Sequence, residues 1–276
     1  MSFSQDFAVC IDGAPDRRSP IDGALYARLL AETDGHLAAL QREAAETAPS
    51  LLTLPDRTDD LDAIEAVAAR WRTAFDDIVI LGVGGSSLGA QALYALARCP
   101  VGVGANGKHR VPTLHFIDNS DPHALSAALT RLDPAKTGFI AISKSGGTVE
   151  TLMQVMLAWR ALIARLEDAY VKRHFLVITE PNPSLLRDFA EKRCVAILDH
   201  PTDLGGRYSC LSIVGLLPAM LAGLDASAVR AGAKAALHEC LAASSGAEVR
   251  AAGGAALSVA ALRSGRNIAV MMPYCD

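Results

Sequence analysis

Ile78-Val79-Ile80-Leu81-Gly82-Val83-Gly84-Gly85-Ser86-Ser87-Leu88-Gly89 is the stretch that decides the fold. Its first four residues form a compact apolar run, as expected of a strand whose sheet is covered on both faces. The glycines then turn the chain straight into an amphipathic segment from about Ser87 to Ala97. Strand, glycine turn and helix make the repeating unit of a parallel α/β sheet, in which each strand reaches the next through a long crossover. Four more apolar runs follow at Thr113–Ile117, Gly138–Ile142, Phe175–Ile178 and Val195–Leu198, separated by helical patterns over Pro122–Leu132, Thr148–Leu166 and Ser184–Lys192. With right-handed crossovers this predicts a doubly wound three-layer α/β sandwich around a five-stranded parallel sheet.

Outside this core the texture is helical. Residues 1–75 are alanine-rich, with helices expected over Ala24–Glu46 and Asp60–Phe75 and a loop holding Pro49, Pro55 and Asp56 between them. Residues 212–264 return to a helical pattern, broken near Gly223-Leu224-Asp225 and Ser244-Ser245-Gly246. Asn267–Tyr274 then reads as another buried strand, entered through Ser264-Gly265-Arg266. A buried parallel strand needs neighbours on both sides, so residues 265–276 are expected to be the first strand of a second, truncated α/β domain. The alternative is that this strand joins the edge of the one sheet.

The chain of 276 residues is 51% apolar and carries a net charge of −4 from 26 Lys and Arg against 30 Asp and Glu. There is no basic block interleaved with aromatic residues, so nucleic acid is not an expected partner. The first residues lack the cationic start and apolar run of a secretory signal, and no later apolar run is long enough to span a bilayer. A cytoplasmic protein without membrane association is expected. The six cysteines form no C-x-x-C pair and the seven histidines no H-x-x-x-H pair, so neither a metal nor another cofactor is proposed.

Three segments carry chemistry. In the first, Gly82–Gly89, the glycines let the backbone pass close to an anion, while Ser86, Ser87 and the free N–H groups of the helix supply donors. It lacks the Gly-Lys-Ser/Thr of a Walker loop and the third glycine of a dinucleotide fingerprint, and a plain tight turn is the competing reading. In the second, Ser143-Lys144-Ser145-Gly146-Gly147-Thr148-Val149-Glu150-Thr151, hydroxyls and glycines again lead into a helix. Hydroxyl and backbone donors hold a phosphate dianion without burying many extra charges, and two such loops at neighbouring strand ends suggest one phosphate gripped from two sides. Lys144 either touches that phosphate or is solvated. In the third, Gly205-Gly206-Arg207-Tyr208-Ser209, the glycines bring Arg207 toward the crevice, where its guanidinium either stabilises an oxyanion or forms a structural ion pair.

These three segments, with Phe116-Ile117-Asp118-Asn119-Ser120-Asp121-Pro122, occur in the order in which the amino-terminal half of the phosphoglucose isomerase family carries them, and the chain resembles that family over roughly residues 76–276. The resemblance implies a sugar-phosphate-binding sugar-isomerase domain over residues 76–211, after a helical segment 1–75 and before connecting helices 212–264. It implies that Gly85, Ser86, Ser143, Lys144, Ser145, Gly146, Gly147 and Thr148 surround the phosphate of a hexose 6-phosphate. Arg207 would be catalytic and would stabilise a cis-enediolate, with no metal or nucleotide cofactor. It also implies a homodimer when complete, and a glutamate base and assisting histidine and lysine in the part of the family pattern beyond this chain. The isolated chain is therefore expected to be weak or inactive in isomerising glucose 6-phosphate to fructose 6-phosphate. Glu150, at a helix start, reads as a capping residue rather than a base. Two rivals stand beside this reading. One is a non-catalytic sugar-phosphate-binding module, which leaves the Arg207 segment unexplained. The other is a nucleotide-dependent dehydrogenase using Asp118 on a ribose, which the spacing from the glycine loop disfavours.

Overall fold

The computed structural model describes residues 5–11, 21–98 and 111–270. Along the chain run α1 (Gly23–Glu46), α2 (Ser50–Thr53), α3 (Leu61–Ala74), β1 (Asp77–Leu81), α4 (Leu88–Arg98), β2 (Thr113–Ile117), α5 (Pro122–Arg131) and β3 (Thr137–Ile142). They are followed by α6 (Val149–Ile163), α7 (Asp168–Val171), β4 (Phe175–Thr179), α8 (Leu185–Lys192), β5 (Ala196–Asp199), α9 (Ile213–Leu221), α10 (Ala226–Ala242) and α11 (Arg250–Arg263). Each of the five strands expected in the sheet is present within one or two residues of its expected bounds.

All strand pairs are parallel, in the order β2-β1-β3-β4-β5. The sheet alternates by strict side-chain period. Ile78, Ile80, Ile140, Ile142, Leu176 and Ile178 pack on one face with Ile64, Ala68 and Trp71 of α3, Leu93 of α4 and Val214–Leu221 of α9. Val79, Leu81, Phe139, Ala141, Phe175 and Val177 pack on the other with Leu125 of α5, Val155, Ala158 and Trp159 of α6 and Leu186 and Ala190 of α8. One face is built of isoleucine and leucine and the other of more varied shapes, with Phe139 stacked on Phe175 at 5.1 Å. A one-residue slip would exchange these sets against helix layers shaped for the opposite one. Fully burying each such side chain is worth about 1.5–3 kcal/mol.

Two compact units divide the chain, Thr53–Ala233 and Met1–Leu52 with Lys234–Asp276. The first takes in α3 and α9 as well as the sheet, because their apolar stripes complete one layer of the sandwich. In the second, Leu29 of α1 joins Ile21, Ala256 and Ala260 in a small core, and Gln41 Nε2 donates to the Leu241 and Ala243 carbonyls at 3.0 Å each. The strand expected over 267–274 is not seen in its described part. Residues 267–270 have no regular structure, with Ile268 83% and Val270 72% exposed, and 271–274 lie outside the described residues. A strand exists only by pairing, and no described strand runs alongside this segment. Among the described residues no helix is long and apolar enough to cross a membrane.

Candidate functional site

The strand order reverses direction between β1 and β3, which pair directly with Leu81 opposite Ala141. At such a switch point the loops leaving two adjacent carboxyl ends diverge to opposite faces and open a crevice. The two glycine loops singled out in the sequence leave the sheet here.

In the first loop, Gly84–Ser86 form a 3-10 turn, with Gly84 at φ +56°, a left-handed conformation that L side chains rarely adopt. Ser87 is fully buried and its Oγ accepts from Gln91 Nε2 at 2.8 Å, the same amide that donates to Asp118 Oδ2 at 2.9 Å. Gly85 and Ser86 are half-buried at the loop tip. A methyl group on Gly85 would overlap the Gly206 carbonyl and come within 2.9 Å of the Arg207 nitrogen. Bare backbone therefore lies against bare backbone at this contact.

The second loop is held differently. Ser143 is buried, and its N–H extends the ladder to the Ile178 carbonyl at 3.0 Å. Its Oγ pairs with Thr148 Oγ1 at 3.1 Å, so Thr148 does not cap α6, and the helix begins without a side-chain cap from that residue on its first N–H groups. Open donors at a helix start, beside exposed Ser145 and Gly147, are what an anion requires. Gly146 has φ +62° and is buried against Ser184, where a Cβ would overlap Oγ and lie 2.6 Å from Ser184 Cβ. Ser184 is itself engaged, accepting from Arg187 N to cap α8. Lys144 is engaged within the fold. Its Nζ pairs with Glu180 Oε1 at 3.3 Å and donates to the Thr202 carbonyl at 3.1 Å, so it is not simply solvated.

The third segment follows β5. His200 is 1% exposed, its N–H donates to the Thr179 carbonyl at 2.9 Å and its Nδ1–H to the Pro201 carbonyl at 2.7 Å. Burial, reinforced by the Lys144 charge, pushes its imidazole below the ordinary histidine value. From there the chain passes Thr202, against Lys144, and reaches Gly206, against Gly85, where Ser209 Oγ donates to the Gly206 carbonyl at 2.7 Å. The segment thus returns from the edge strand β5 to the central strand β1 across the carboxyl ends. Its far end is fixed by buried Arg230, whose Nη2 donates to the Leu211 carbonyl at 3.0 Å and to Asp60 Oδ2 at 2.8 Å. Burial alone would raise the Asp60 carboxyl, but the Arg230 hydrogen bonds and charge outweigh it and hold it below the usual range. Arg207 is exposed and has no ion pair among the described residues, so its structural-bridge reading finds no partner here.

Gly85, Ser86 and the backbone of Arg207 are therefore brought together, and Ser143, Ser145, Gly146, Gly147 and Thr148 leave the adjacent strand end. Sequence reasoning missed Gln91, which ties Ser87 to Asp118, and Glu180, which draws Lys144 aside. It also missed Ser184 and Arg230, and gave no sign that the Thr151 Oγ1 is buried with no partner among the described residues. Ser184 carried a readable signal, a serine after Pro183 at a helix start, but its contact with Gly146 did not.

A family profile for phosphoglucose isomerase matches residues 56–248. The chain is 36% identical to a glucose-6-phosphate isomerase of Rubrobacter xylanophilus over 258 residues, covering 93% of this chain and 59% of that protein. It is 39% identical to one of Thermus thermophilus over 198 residues, covering 70% and 44%. The chain spans about half the length of the curated relatives it matches. Among solved structures, a hypothetical protein of Thermus thermophilus superposes with a TM-score of 0.67 at 35% identity, covering 85% of this chain and 53% of that one. A glucose-6-phosphate isomerase of Chlamydia trachomatis shares the fold, with a TM-score of 0.62 at 20% identity over 81% and 48%.

Proposed function

The chain belongs to the phosphoglucose isomerase family, and from that premise we propose that the whole protein interconverts glucose 6-phosphate and fructose 6-phosphate through a cis-enediolate. The observation that carries this reading is the contact of Gly85 with Gly206 and Arg207 at the switch point, beside the uncapped start of α6. In this reading it sets the Arg207 backbone against the loop that would hold the phosphate, and the exposed guanidinium, with no ion pair among the described residues, is available to a reacting oxygen.

In this proposal the phosphate of the open-chain sugar rests on the first N–H groups of α6 and the hydroxyls of Ser145 and Thr148, with Gly85, Ser86, Gly146 and Gly147 admitting it to the backbone. Such donors compensate a dianion without a buried counter-charge. Moving a proton between C2 and C1 leaves negative charge on the sugar oxygens, and Arg207, permanently protonated and unpaired by carboxylates, is the group to stabilise it. Lys144 would reach the phosphate only by leaving Glu180. The base that carries the proton is assigned to the part of the relatives' length that this chain does not span, as the family resemblance implies, and among the described residues no carboxylate pairs with Arg207. The complete protein is further proposed to work as a cytoplasmic homodimer, on family resemblance.

The test is to titrate the 276-residue chain and its Arg207→Ala variant with glucose 6-phosphate and with a six-carbon aldonate phosphate that mimics the enediolate. Arg207→Ala is expected to leave glucose 6-phosphate binding within about threefold and to weaken the mimic by about 10²-fold, the usual cost of removing an oxyanion-stabilising group. Equal effects on both ligands, or none, would instead identify a sugar-phosphate-binding module.

A further inference from the structure

The opposite, amino-terminal edge of the same sheet holds a cavity of about 610 Å3 between α3 and the segment that leads into β4. A five-residue strand is about 16 Å long, so this cavity is separate from the glycine loops at the carboxyl edge. Its wall is aromatic. Trp71 and Phe75 lie with ring centroids 5.0 Å apart, His174 packs on Phe75 at 5.2 Å, and Tyr170 is half exposed with the Arg173 guanidinium 5.4 Å above its ring. Its rim is cationic. Arg70, Lys172 and Arg173 all line it, no carboxylate does, and none of the three has an ion-pair partner among the described residues. In a chain with net charge −4, a cluster of three unpaired cations around an aromatic wall is a local reversal of charge that folding stability does not call for.

From this combination we infer that the cavity binds a multiply charged anion carrying a flat aromatic ring, of the nucleoside di- or triphosphate class. The volume falls in the range of small-molecule sites. The guanidinium groups of Arg70 and Arg173 match phosphate oxygens in pairs, and Tyr170 with His174 offers ring faces and edges to a base. The limited volume of this open cavity and the acidic remainder of the chain favour a mononucleotide over a nucleic-acid strand.

Cys194 lines the same cavity and is exposed, which supplies a direct readout. The 276-residue chain is treated with iodoacetamide, and modification of Cys194 is followed by peptide mass spectrometry with ATP, adenosine, inorganic tripolyphosphate, glucose 6-phosphate or a short single-stranded oligonucleotide present. ATP is expected to slow modification with half-protection below about 1 mM, and adenosine or tripolyphosphate alone to protect at least about tenfold less well. Arg70→Glu with Arg173→Glu, both exposed positions, should keep the thermal melt and weaken ATP protection by about tenfold or more. Absence of protection by ATP, equal protection in the charge-reversed variant, or equal protection by tripolyphosphate would overturn the assignment. So would competition by glucose 6-phosphate, or tighter protection by the oligonucleotide.

Discussion

The two glycine loops at the carboxyl edge look interchangeable in sequence, yet what presses on their glycines is of opposite kinds. The loop after β1 rests on backbone from far along the chain, the Gly206 carbonyl and Arg207 nitrogen, and has no side chain in between to yield. The loop after β3 has side chains against its glycine, Ser184 and Thr179 at Gly146, beside the Ser143–Thr148 hydroxyl pair and backbone bonds such as Leu186 N–H to the Gly146 carbonyl at 3.0 Å. The difference teaches that one loop is tied to the position of Arg207 while the other is largely built by its own βα unit and the next. Disturbing the first should therefore disturb stability and chemistry together, and disturbing the second should separate them.

Gly85→Ala is expected to have the largest effect. The methyl would overlap a peptide carbonyl that cannot rotate away, so the Gly206–Ser209 turn must move, at a cost of about 3 kcal/mol by urea denaturation. Selectivity for the enediolate mimic should fall with it. If Gly85→Ala proves as stable as the parent, the backbone contact is not what joins the two segments.

Gly146→Ala should cost less, about 2 kcal/mol, from the left-handed backbone and the overlap with Ser184. Adding Ser184→Gly should recover part of this loss, because the obstacle is a side chain. Gly147→Ala, one residue away, meets nothing closer than Ser145 Oγ at 4.0 Å. It should leave stability within about 0.5 kcal/mol while weakening sugar-phosphate binding. Equal losses of stability at positions 146 and 147 would erase the distinction between support and cradle.

The smallest effect concerns His200, packed where the third segment leaves β5. Its folded-state pKa is lowered, so below the ordinary histidine value of about 6.5 the unfolded chain takes up a proton that the folded chain resists. Stability is therefore unaffected by this group at higher pH and is lost as pH falls through about 6.5 toward the depressed value, by less than about 1.4 kcal/mol per pH unit. Urea midpoints taken about one pH unit above and one below that value should show the loss, and His200→Gln should reduce it. An unchanged pH dependence in that variant would place the acid sensitivity elsewhere.

Much of this architecture was legible because parallel strands covered on both faces leave short apolar runs, and Ile78–Leu81 and Phe175–Ile178 could hardly be anything else. Loop chemistry was legible for the same local reason, since glycine and hydroxyl residues at strand ends report backbone geometry and donors directly. What stayed hidden was pairing across the fold. Nothing near Lys144 in sequence announces Glu180 or Thr202, and Arg230, in an alanine-rich helix, gives no sign that it is 2% exposed and fastened to Asp60. The apolar run Val195–Leu198 reads one residue early because Val195 is apolar, whereas Cys194 sits at φ +52° and β5 starts at Ala196. Asn267–Val270 has the composition of a strand and no described partner to make it one.

The meeting of the first loop with the Gly206–Ser209 turn also has a history in time. The Ser209 hydroxyl and the Gly85 carbonyl lie 3.4 Å apart in space and 124 positions apart in the chain. At ribosomal rates of about 5–20 residues per second, roughly 6–25 s pass between the appearance of the two ends. During that interval β1 and its glycine loop are present without the Gly206–Ser209 turn, while β3 and β4 are being made. The crevice therefore cannot close on a nascent chain before Gly206–Ser209 has been made, whatever the central strands have done by then.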